Sequence, residues 1–131
     1  MKYLDLFAGS GGLSLGLRSA GLVPAAAVEK SVMAGETYFK NLVSASDDSF
    51  RAHLQKPSLE QLNSGLLIGD VGELLRLVST GTPTALEGLD VLVGGPPCQG
   101  FSLAGKRDPK DKRNQLPWLF LEAVDVLSPK F

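Results

Sequence analysis

The chain has 131 residues, of which 44% are hydrophobic and 21% are charged, and its formal net charge is −1 at pH 7. This length predicts one domain or part of one, and the near-neutral charge argues against a protein that coats nucleic acid through bulk electrostatics. No apolar run reaches the roughly 18 residues of a membrane-spanning helix, and the N-terminus lacks the apolar region of a signal peptide. A single cysteine excludes an internal disulfide and favours a reducing, cytoplasmic location.

Short apolar runs and segments with helical spacing alternate along the chain. Four apolar runs predict strands, at 3–7, 23–28, 66–70 and 89–93. Four segments with apolar residues at helical spacing predict helices, at 13–20, 33–42, 72–78 and 115–127. Strands that alternate with helices are typical of a parallel sheet with right-handed crossovers, so the predicted fold class is α/β.

The segment 43–64 interrupts this alternation because it is rich in serine, aspartate and other polar residues. It predicts a surface excursion with one short helix near 50–54, and His53 is expected to lie on the surface there. In the last predicted helix, Trp118 and Phe120 are expected to be core or packing residues. No pattern in the sequence resembles a metal site.

A glycine-rich turn, AGSGG, follows the first predicted strand and leads into a helix. Glycines permit a tight turn and the close approach of a ligand, and a helix N-terminus offers backbone N–H groups to an anion. Glu29 ends the second strand and can accept hydrogen bonds from a ribose, while Asp70 ends the third and can accept from an adenine amine. Ser14 breaks the dinucleotide pattern G-x-G-x-x-G, and no Walker lysine follows, so an adenosine pocket of another kind is predicted.

The only cysteine lies in the run GGPPCQGFS, directly after the fourth predicted strand. A structural cysteine usually packs as a small apolar residue, whereas Cys98 lies at a strand end, where open α/β sheets carry their chemistry. A basic cluster follows within eight residues, made of Lys106, Arg107, Lys110, Lys112 and Arg113. The cluster has two interpretations, a local nucleic-acid contact and a solvated loop, and its position beside Cys98 favours the first.

The runs DLFAGSGGLSLGL and GGPPCQGFS resemble the cytosine-5 DNA methyltransferases, which use S-adenosylmethionine. Two further segments, AVEKSVMAGETYFKN and AGKRDPKDKRNQL, resemble the family's second motif and the segment that follows its catalytic loop. The resemblance extends over 3–131. It implies a Rossmann-like parallel sheet of the methyltransferase type, present in part, with about four strands in the order 3-2-1-4 and helices on both faces.

The resemblance also assigns roles to individual residues. Cys98 takes the role of the nucleophile, whose thiolate adds to C6 of a flipped cytosine in double-stranded DNA so that C5 can take the methyl group. Cofactor binding is assigned to Phe7, Gly9, Ser10, Gly12, Glu29, Asp70, Val71, Pro97 and Leu116. Contacts to DNA and the target base are assigned to Pro97, Gln99, Ser102, Lys106, Arg107 and Arg113.

The resemblance implies that residues 1–131 are the N-terminal part of a catalytic domain, with cofactor motifs at 3–78 and the catalytic strand and loop at 89–116. The family pattern continues with a Glu-Asn-Val element, a target recognition domain and a C-terminal helix, which this sequence lacks. We therefore expect a fragment, or one subunit of a split enzyme whose partner is the missing C-terminal segment or a complementary subunit. No membrane is expected among its partners.

Three alternative functions remain. A tRNA cytosine-5 methyltransferase would share the Pro-Pro-Cys-Gln loop, and a non-catalytic remnant would bind S-adenosylmethionine without transferring its methyl group. A nicotinamide oxidoreductase is disfavoured by Ser14. Within the leading hypothesis, a restriction–modification enzyme, an orphan bacterial enzyme and a phage protein would look alike, and each would work in a prokaryotic cytoplasm.

Overall fold

A computed structural model describes residues 1–97 and 115–131, except for the side chain of Asp47. The strands in this part of the chain are β1 (Lys2–Leu6), β2 (Val23–Glu29), β3 (Leu66–Ile68) and β4 (Val91–Gly94). The helices are α1 (Gly12–Ser19), α2 (Val32–Leu42), α3 (Asp47–Leu54), α4 (Ser58–Asn63), α5 (Val71–Ser79) and α6 (Leu116–Leu127), with a 3₁₀ turn at Thr84–Leu86. Among these described residues, none of the helices has the length and apolar character needed to cross a membrane.

The four strands form one parallel sheet in the order β3-β2-β1-β4, which confirms the predicted order. β1 lies between β2 and β4, and all its residues after Lys2 are buried. A parallel strand that is covered on both faces reads as a nearly continuous apolar run, as the sequence of β1 does. At its carboxyl end Leu6 pairs with both Val28 and Gly94, so the ends of these strands lie side by side.

Helices cover both faces of the sheet, as predicted. One face, which includes Leu4, Leu6 and Val28, packs against α4, α5 and α6. The opposite face, which includes Ala27 and Leu66, packs against α2 and α3. The alternation of side chains along each strand sends neighbouring residues into these two separate apolar clusters.

The segment 43–64 is more ordered than predicted, because it forms two helices instead of one. Ser46 caps α3 by accepting a hydrogen bond from the N–H of Ser49, and buried residues of both helices face the sheet. Phe50 belongs to one apolar cluster and Leu62 to the other. The prediction of a surface excursion was therefore wrong: few of its residues are apolar, but those few are placed where each short helix meets the core.

The expectation that His53 lies on the surface was also wrong, because only 1% of this residue is exposed. Its ring lies 4.7 Å from the ring of Phe39 and 6.5 Å from that of Phe50, measured between centroids. Its Nε2 is 2.7 Å from the carbonyl oxygen of Leu66, which can only accept, so Nε2 carries the proton. Its buried Nδ1 finds no hydrogen-bond partner among the described residues. Burial lowers the pKa of His53, since a second proton would place an unpaired charge in the core.

Helix α6 confirms one of the two packing predictions and contradicts the other. Phe120 packs against the core, whereas Trp118 is 70% exposed. The inward residues of α6 follow helical spacing: Leu119, Phe120, Ala123, Val124 and Leu127. Trp118 lies outside this stripe, so its size and apolar character did not decide its burial.

The outer side of β4, away from β1, is paired with the last residues of the chain. The N–H of Phe131 donates to the carbonyl of Asp90 (3.1 Å), and the carbonyl of Phe131 accepts from the N–H of Leu92 (2.9 Å). Phe131 thus hydrogen-bonds to the two residues on either side of Val91, which is the hydrogen-bond pattern of parallel strands. Lys130 adds an ion pair from Nζ to Oδ1 of Asp90 at 2.5 Å. The outer edge of β4 is therefore partly covered.

A buried hydrogen-bond network joins α1 to the middle of the sheet. Ser14 Oγ donates to Oδ2 of Asp5 at 2.7 Å and lies 3.1 Å from the hydroxyl of Tyr38. Because the single proton of Ser14 Oγ is used on Asp5, Tyr38 is the donor in the second bond. The hydroxyl of Tyr3 donates to the carbonyl of Ser14. Burial raises the pKa of Tyr38 to about 12 and also raises the pKa of Asp5, an effect that hydrogen bonds from Ser14 partly offset.

We expect Ser14→Ala to lower the free energy of unfolding by about 1–3 kcal/mol, because it removes the hydroxyl donor to Asp5 and the acceptor of Tyr38 inside the core. Urea denaturation measures this change. Ser19→Ala is the matched control in the same helix, since Ser19 is exposed and bonds only to the carbonyl of Leu15 among the described residues. Equal stabilities for the two variants would contradict the importance of the network.

We expect the stability of the protein to fall as the pH is lowered below about 6.5. The folded-state pKa of His53 is depressed, so the unfolded chain binds a proton that the folded chain does not, and this contribution is lost as the pH falls from the unfolded to the folded pKa. The slope reaches at most about 1.4 kcal/mol per pH unit. Urea denaturation between pH 7 and pH 5 measures it.

His53→Gln is the control for this pH dependence, because glutamine can still donate to Leu66 but does not titrate. His53 is the only histidine of the chain, so the difference between the two pH profiles reports on one group. Parallel profiles for the two proteins would show that burial of His53 does not couple to stability.

Candidate functional site

The loop between β1 and α1 is built from unusual backbone conformations. Phe7, Gly9 and Gly11 have positive φ angles of 58°, 56° and 91°. At Gly11 a Cβ atom would lie 2.5 Å from Cδ1 of Leu42 and 2.9 Å from Cδ2 of Tyr38, so space as well as backbone angle requires glycine. Phe7 adopts this region without being glycine, a strain that typically accumulates at functional sites.

Glu29 holds this loop from the neighbouring strand. Its Oε2 accepts a hydrogen bond from the N–H of Gly9 at 2.8 Å, and its Oε1 accepts from the N–H of Ser31 at 2.7 Å. One carboxylate therefore joins the loop after β1 to the residue that caps α2. Each oxygen has a second lone pair, so the same carboxylate can still accept hydrogen bonds from two further hydroxyl groups.

Asp70 was predicted to end the third strand, but β3 ends at Ile68, and Asp70 lies two residues beyond it as the cap of α5. Its Oδ1 accepts a hydrogen bond from the N–H of Glu73 at 2.9 Å, and Asp70 itself is exposed. The capping bond uses one of its two carboxylate oxygens and holds the side chain at the sheet edge. Its other oxygen, Oδ2, can accept a bond from a ligand.

A cavity of about 590 Å³ opens at this carboxyl edge of the sheet, within the size range of sites that hold small molecules. Of the cofactor residues that the resemblance assigned, its wall contains Phe7, Glu29, Asp70, Val71, Pro97 and Leu116. Three others, Gly9, Ser10 and Gly12, lie in the adjoining loop and first turn of α1 and are not part of the wall. The structure thus brings together residues from all four strand ends and from α6.

The cavity wall also contains residues that the sequence analysis did not select. Lys30 and Arg76 add two cations to a rim that already carries Glu29 and Asp70. Lys30 directly follows Glu29 at the end of β2, and Arg76 lies four residues after Gly72, another wall residue, so Arg76 and Gly72 share a side of α5. Val28 and Leu119 extend its apolar part. Two features of the sequence could have identified the cations: Lys30 is adjacent to a strand end, and Arg76 has helical spacing from another wall residue.

Most residues assigned to catalysis and DNA lie outside the described part of the chain. These are Cys98, Gln99, Ser102, Lys106, Arg107 and Arg113. Pro97 is described; it is exposed and lies on the cavity wall, so the cavity reaches the residue before Cys98. Within 1–97 and 115–131, no group of three or more metal-binding side chains comes together.

Comparisons with known proteins relate the chain to one family. The model of the C-5 cytosine-specific DNA methylase family matches residues 1–71 and 73–131. The type II methyltransferase M.DdeI of Desulfomicrobium norvegicum is 38% identical over 131 residues, all of this chain but 26% of that protein. The type II methyltransferase M.HgiGI of Herpetosiphon aurantiacus is 35% identical over 98% of this chain and 84% of its own length.

A solved structure shows that the chain is also similar to a methyltransferase in its fold. It is a crystal structure described as a DNA modification methyltransferase encoded within an E. coli prophage. The two share 30% sequence identity with a TM-score of 0.62, over 98% of this chain and 30% of that one. The chain thus spans about a quarter to a third of the length of M.DdeI and of this structure. The chain belongs to the C-5 cytosine-specific DNA methylase family.

Proposed function

We propose that this chain is the cofactor-binding and nucleophile-bearing part of a DNA cytosine-5 methyltransferase. The observation that carries the proposal is the cavity at the carboxyl edge of the sheet, where Glu29 and Asp70 face the same space as Pro97. Pro97 immediately precedes Cys98, the only thiol of the chain. A nucleoside site that extends to the residue before a reactive cysteine is the arrangement that methyl transfer to a base requires.

The residues of the cavity fit S-adenosylmethionine as its ligand. Glu29 retains acceptor capacity for the two hydroxyls of a ribose, and Asp70 has an oxygen for an adenine amine. Phe7, Val71 and Leu116 provide apolar surface for a flat ring. When bound, this cofactor supplies an electrophilic methyl group on its sulfonium. Gly9 and Ser10 in the adjoining loop, and Gly12 in the first turn of α1, would bind the methionine portion.

Cys98 performs the covalent step. Its thiolate adds to C6 of the cytosine, and the electron pair of the former C5–C6 double bond makes C5 nucleophilic. After C5 has taken the methyl group, loss of the C5 proton and departure of the thiolate restore the aromatic ring and regenerate Cys98. The prolines before Cys98 restrict the backbone that presents it, since each fixes its own φ.

DNA is the substrate that the relationships favour, because the matched family model is one of cytosine-specific DNA methylases. The target carbon is inaccessible inside a duplex, so the base must be flipped out, at a cost of about a few kcal/mol. We assign contacts with the base to Pro97 and contacts with the DNA to Gln99, Ser102, Lys106, Arg107 and Arg113. The cations in this group would give binding that weakens with salt.

The chain carries out only part of the work of the whole enzyme in this proposal. Residues 3–78 bind the cofactor and residues 89–116 supply the catalytic strand and loop. Its partner is a further C-terminal segment or a complementary subunit, which would contact the target base and read the DNA sequence. M.DdeI, of which the chain spans 26%, is a relative with ample additional length for such a part.

We expect Cys98 to become covalently attached to DNA that contains 5-fluorocytosine in the presence of S-adenosylmethionine. Fluorine at C5 cannot leave as a proton does, so the final elimination fails and the adduct persists. Mass spectrometry of the intact chain, with peptide mapping, detects the adduct and its position. Cys98→Ser provides the control and should give no adduct.

Trapping should be carried out with the 131-residue chain alone and with its complete enzyme. An adduct with the chain alone would show that it can flip and attack a base unaided. An adduct only with the complete enzyme would assign base flipping to the additional part. Absence of an adduct on Cys98 in both would contradict the proposed mechanism.

We expect Glu29→Gln to weaken the binding of S-adenosylhomocysteine at least tenfold. The amide nitrogen cannot accept a hydrogen bond, so this variant loses either the Gly9 or the Ser31 contact as well as one acceptor for the ribose. Isothermal titration calorimetry measures the Kd. Glu36→Gln is the matched control, because Glu36 lies on α2, pairs with Lys40 at 2.9 Å and is not part of the cavity wall. Equal affinities for the two variants would refute the role of Glu29.

A further inference from the structure

The last residue of β4 makes an unusually close contact with β1. A Cβ atom at Gly94 would lie 2.5 Å from the carbonyl oxygen of Leu6 and 3.2 Å from its carbonyl carbon. On another side, the same Cβ would lie 3.0 Å from Cε2 of Phe120. The atoms of Leu6 belong to the backbone of the central strand, so they cannot rotate away as the end of a flexible side chain could.

Glycine is required here for space and not for backbone freedom. Gly94 is paired with Leu6 within the sheet and is absent from the residues with positive φ. This separates it from Gly9 and Gly11, whose φ angles of 56° and 91° favour glycine in any surroundings. It also separates it from Gly95, the next residue, where a Cβ would meet nothing within 4 Å. The restriction therefore belongs to one position of the run GGPP.

Both strands in this contact lead directly into the cavity. Phe7, the residue after Leu6, forms part of its wall, and so do Gly95 and Pro97, which follow Gly94. On the side of β1, only Phe7 itself could absorb a change in the position of Leu6, and its backbone is already strained at a φ of 58°. The contact between Leu6 and Gly94 therefore lies one residue before the cavity wall on both strands, at Phe7 and at Gly95.

We propose that Gly94 is a positioning residue of the cofactor site: its contact with the Leu6 carbonyl and the Phe120 ring fixes the spacing of the Phe7 and Pro97 walls. This inference rests on the proposed function of the cavity. A methyl group at position 94 would force β4 away from the Leu6 carbonyl and shift Pro97 with it. The ligand would then contact one wall at the expense of the other.

The test is the affinity of the 131-residue chain for S-adenosylhomocysteine, measured by calorimetry at a temperature where circular dichroism shows every variant folded. We expect Gly94→Ala to raise the Kd at least tenfold. Gly16→Ala is the control for the chemical change, since Gly16 lies on the exposed side of α1, where a Cβ meets nothing within 4 Å. Its Kd should stay within twofold of the unmodified chain.

A second control separates positioning from a general loss of stability. Leu86 is 3% exposed, belongs to the core cluster and is not part of the cavity wall. Leu86→Ala should lower the thermal midpoint as Gly94→Ala does, yet leave the Kd within twofold. An affinity loss of the same size in both variants would overturn the inference, because it would make the effect of Gly94→Ala one of stability alone.

Phe120→Leu provides the test if Gly94→Ala does not fold. Leucine keeps an apolar side chain in the core but removes the ring edge that lies against Gly94, and we expect a Kd raised about threefold or more. A Kd within twofold of the unmodified chain for every folded variant at these two positions would overturn the inference while leaving the proposed function intact. Failure of the unmodified chain to bind at all would instead overturn the proposed function, and the inference with it.

Discussion

β1 lies between β2 and β4, and its parallel pairing to both determines where the walls of the cavity meet. Because all strands run in one direction, their carboxyl ends reach the same edge of the sheet, and a residue of the cavity wall lies at the end of each strand or directly after it. The pairing of Leu6 with Val28 and Gly94 aligns these ends to within one residue. A shift of one position would turn each side chain to the other face and separate the walls.

Glu29 holds two loops together at this edge and can still accept hydrogen bonds from a ligand. Its two oxygens bind backbone N–H groups from two different loops, so the carboxylate keeps its position before any ligand arrives. An acceptor that is already oriented loses little conformational entropy on binding, which is the advantage of preorganisation. The same bonds tie the strained loop at Phe7 to the second strand, so the loop geometry and the proposed cofactor binding depend on one side chain.

Polar side chains are buried at two places in the core, and they differ in how fully they are hydrogen-bonded. Ser14, Asp5 and Tyr38 satisfy one another, and their network attaches α1 below the glycine-rich loop. His53 hydrogen-bonds through Nε2, whereas its buried Nδ1 has no partner within 1–97 and 115–131. A satisfied buried network makes the position of an element specific, whereas an unpaired nitrogen makes stability sensitive to protonation. The first supports the site, and the second lies under α2 and α3, away from it.

The sequence by itself determined the order along the chain of the four strands and of the helices outside 43–64, together with the glycine-rich turn, because backbone periodicity and glycine requirements are local properties. It also identified the wall residues Phe7, Glu29, Asp70 and Pro97 through motifs. Tertiary structure alone decided that His53 is buried and Trp118 exposed, since burial depends on what packs across from a residue. It also decided that Gly94 has no room for a side chain, because the obstructing carbonyl of Leu6 is remote in sequence and adjacent only once the sheet has formed.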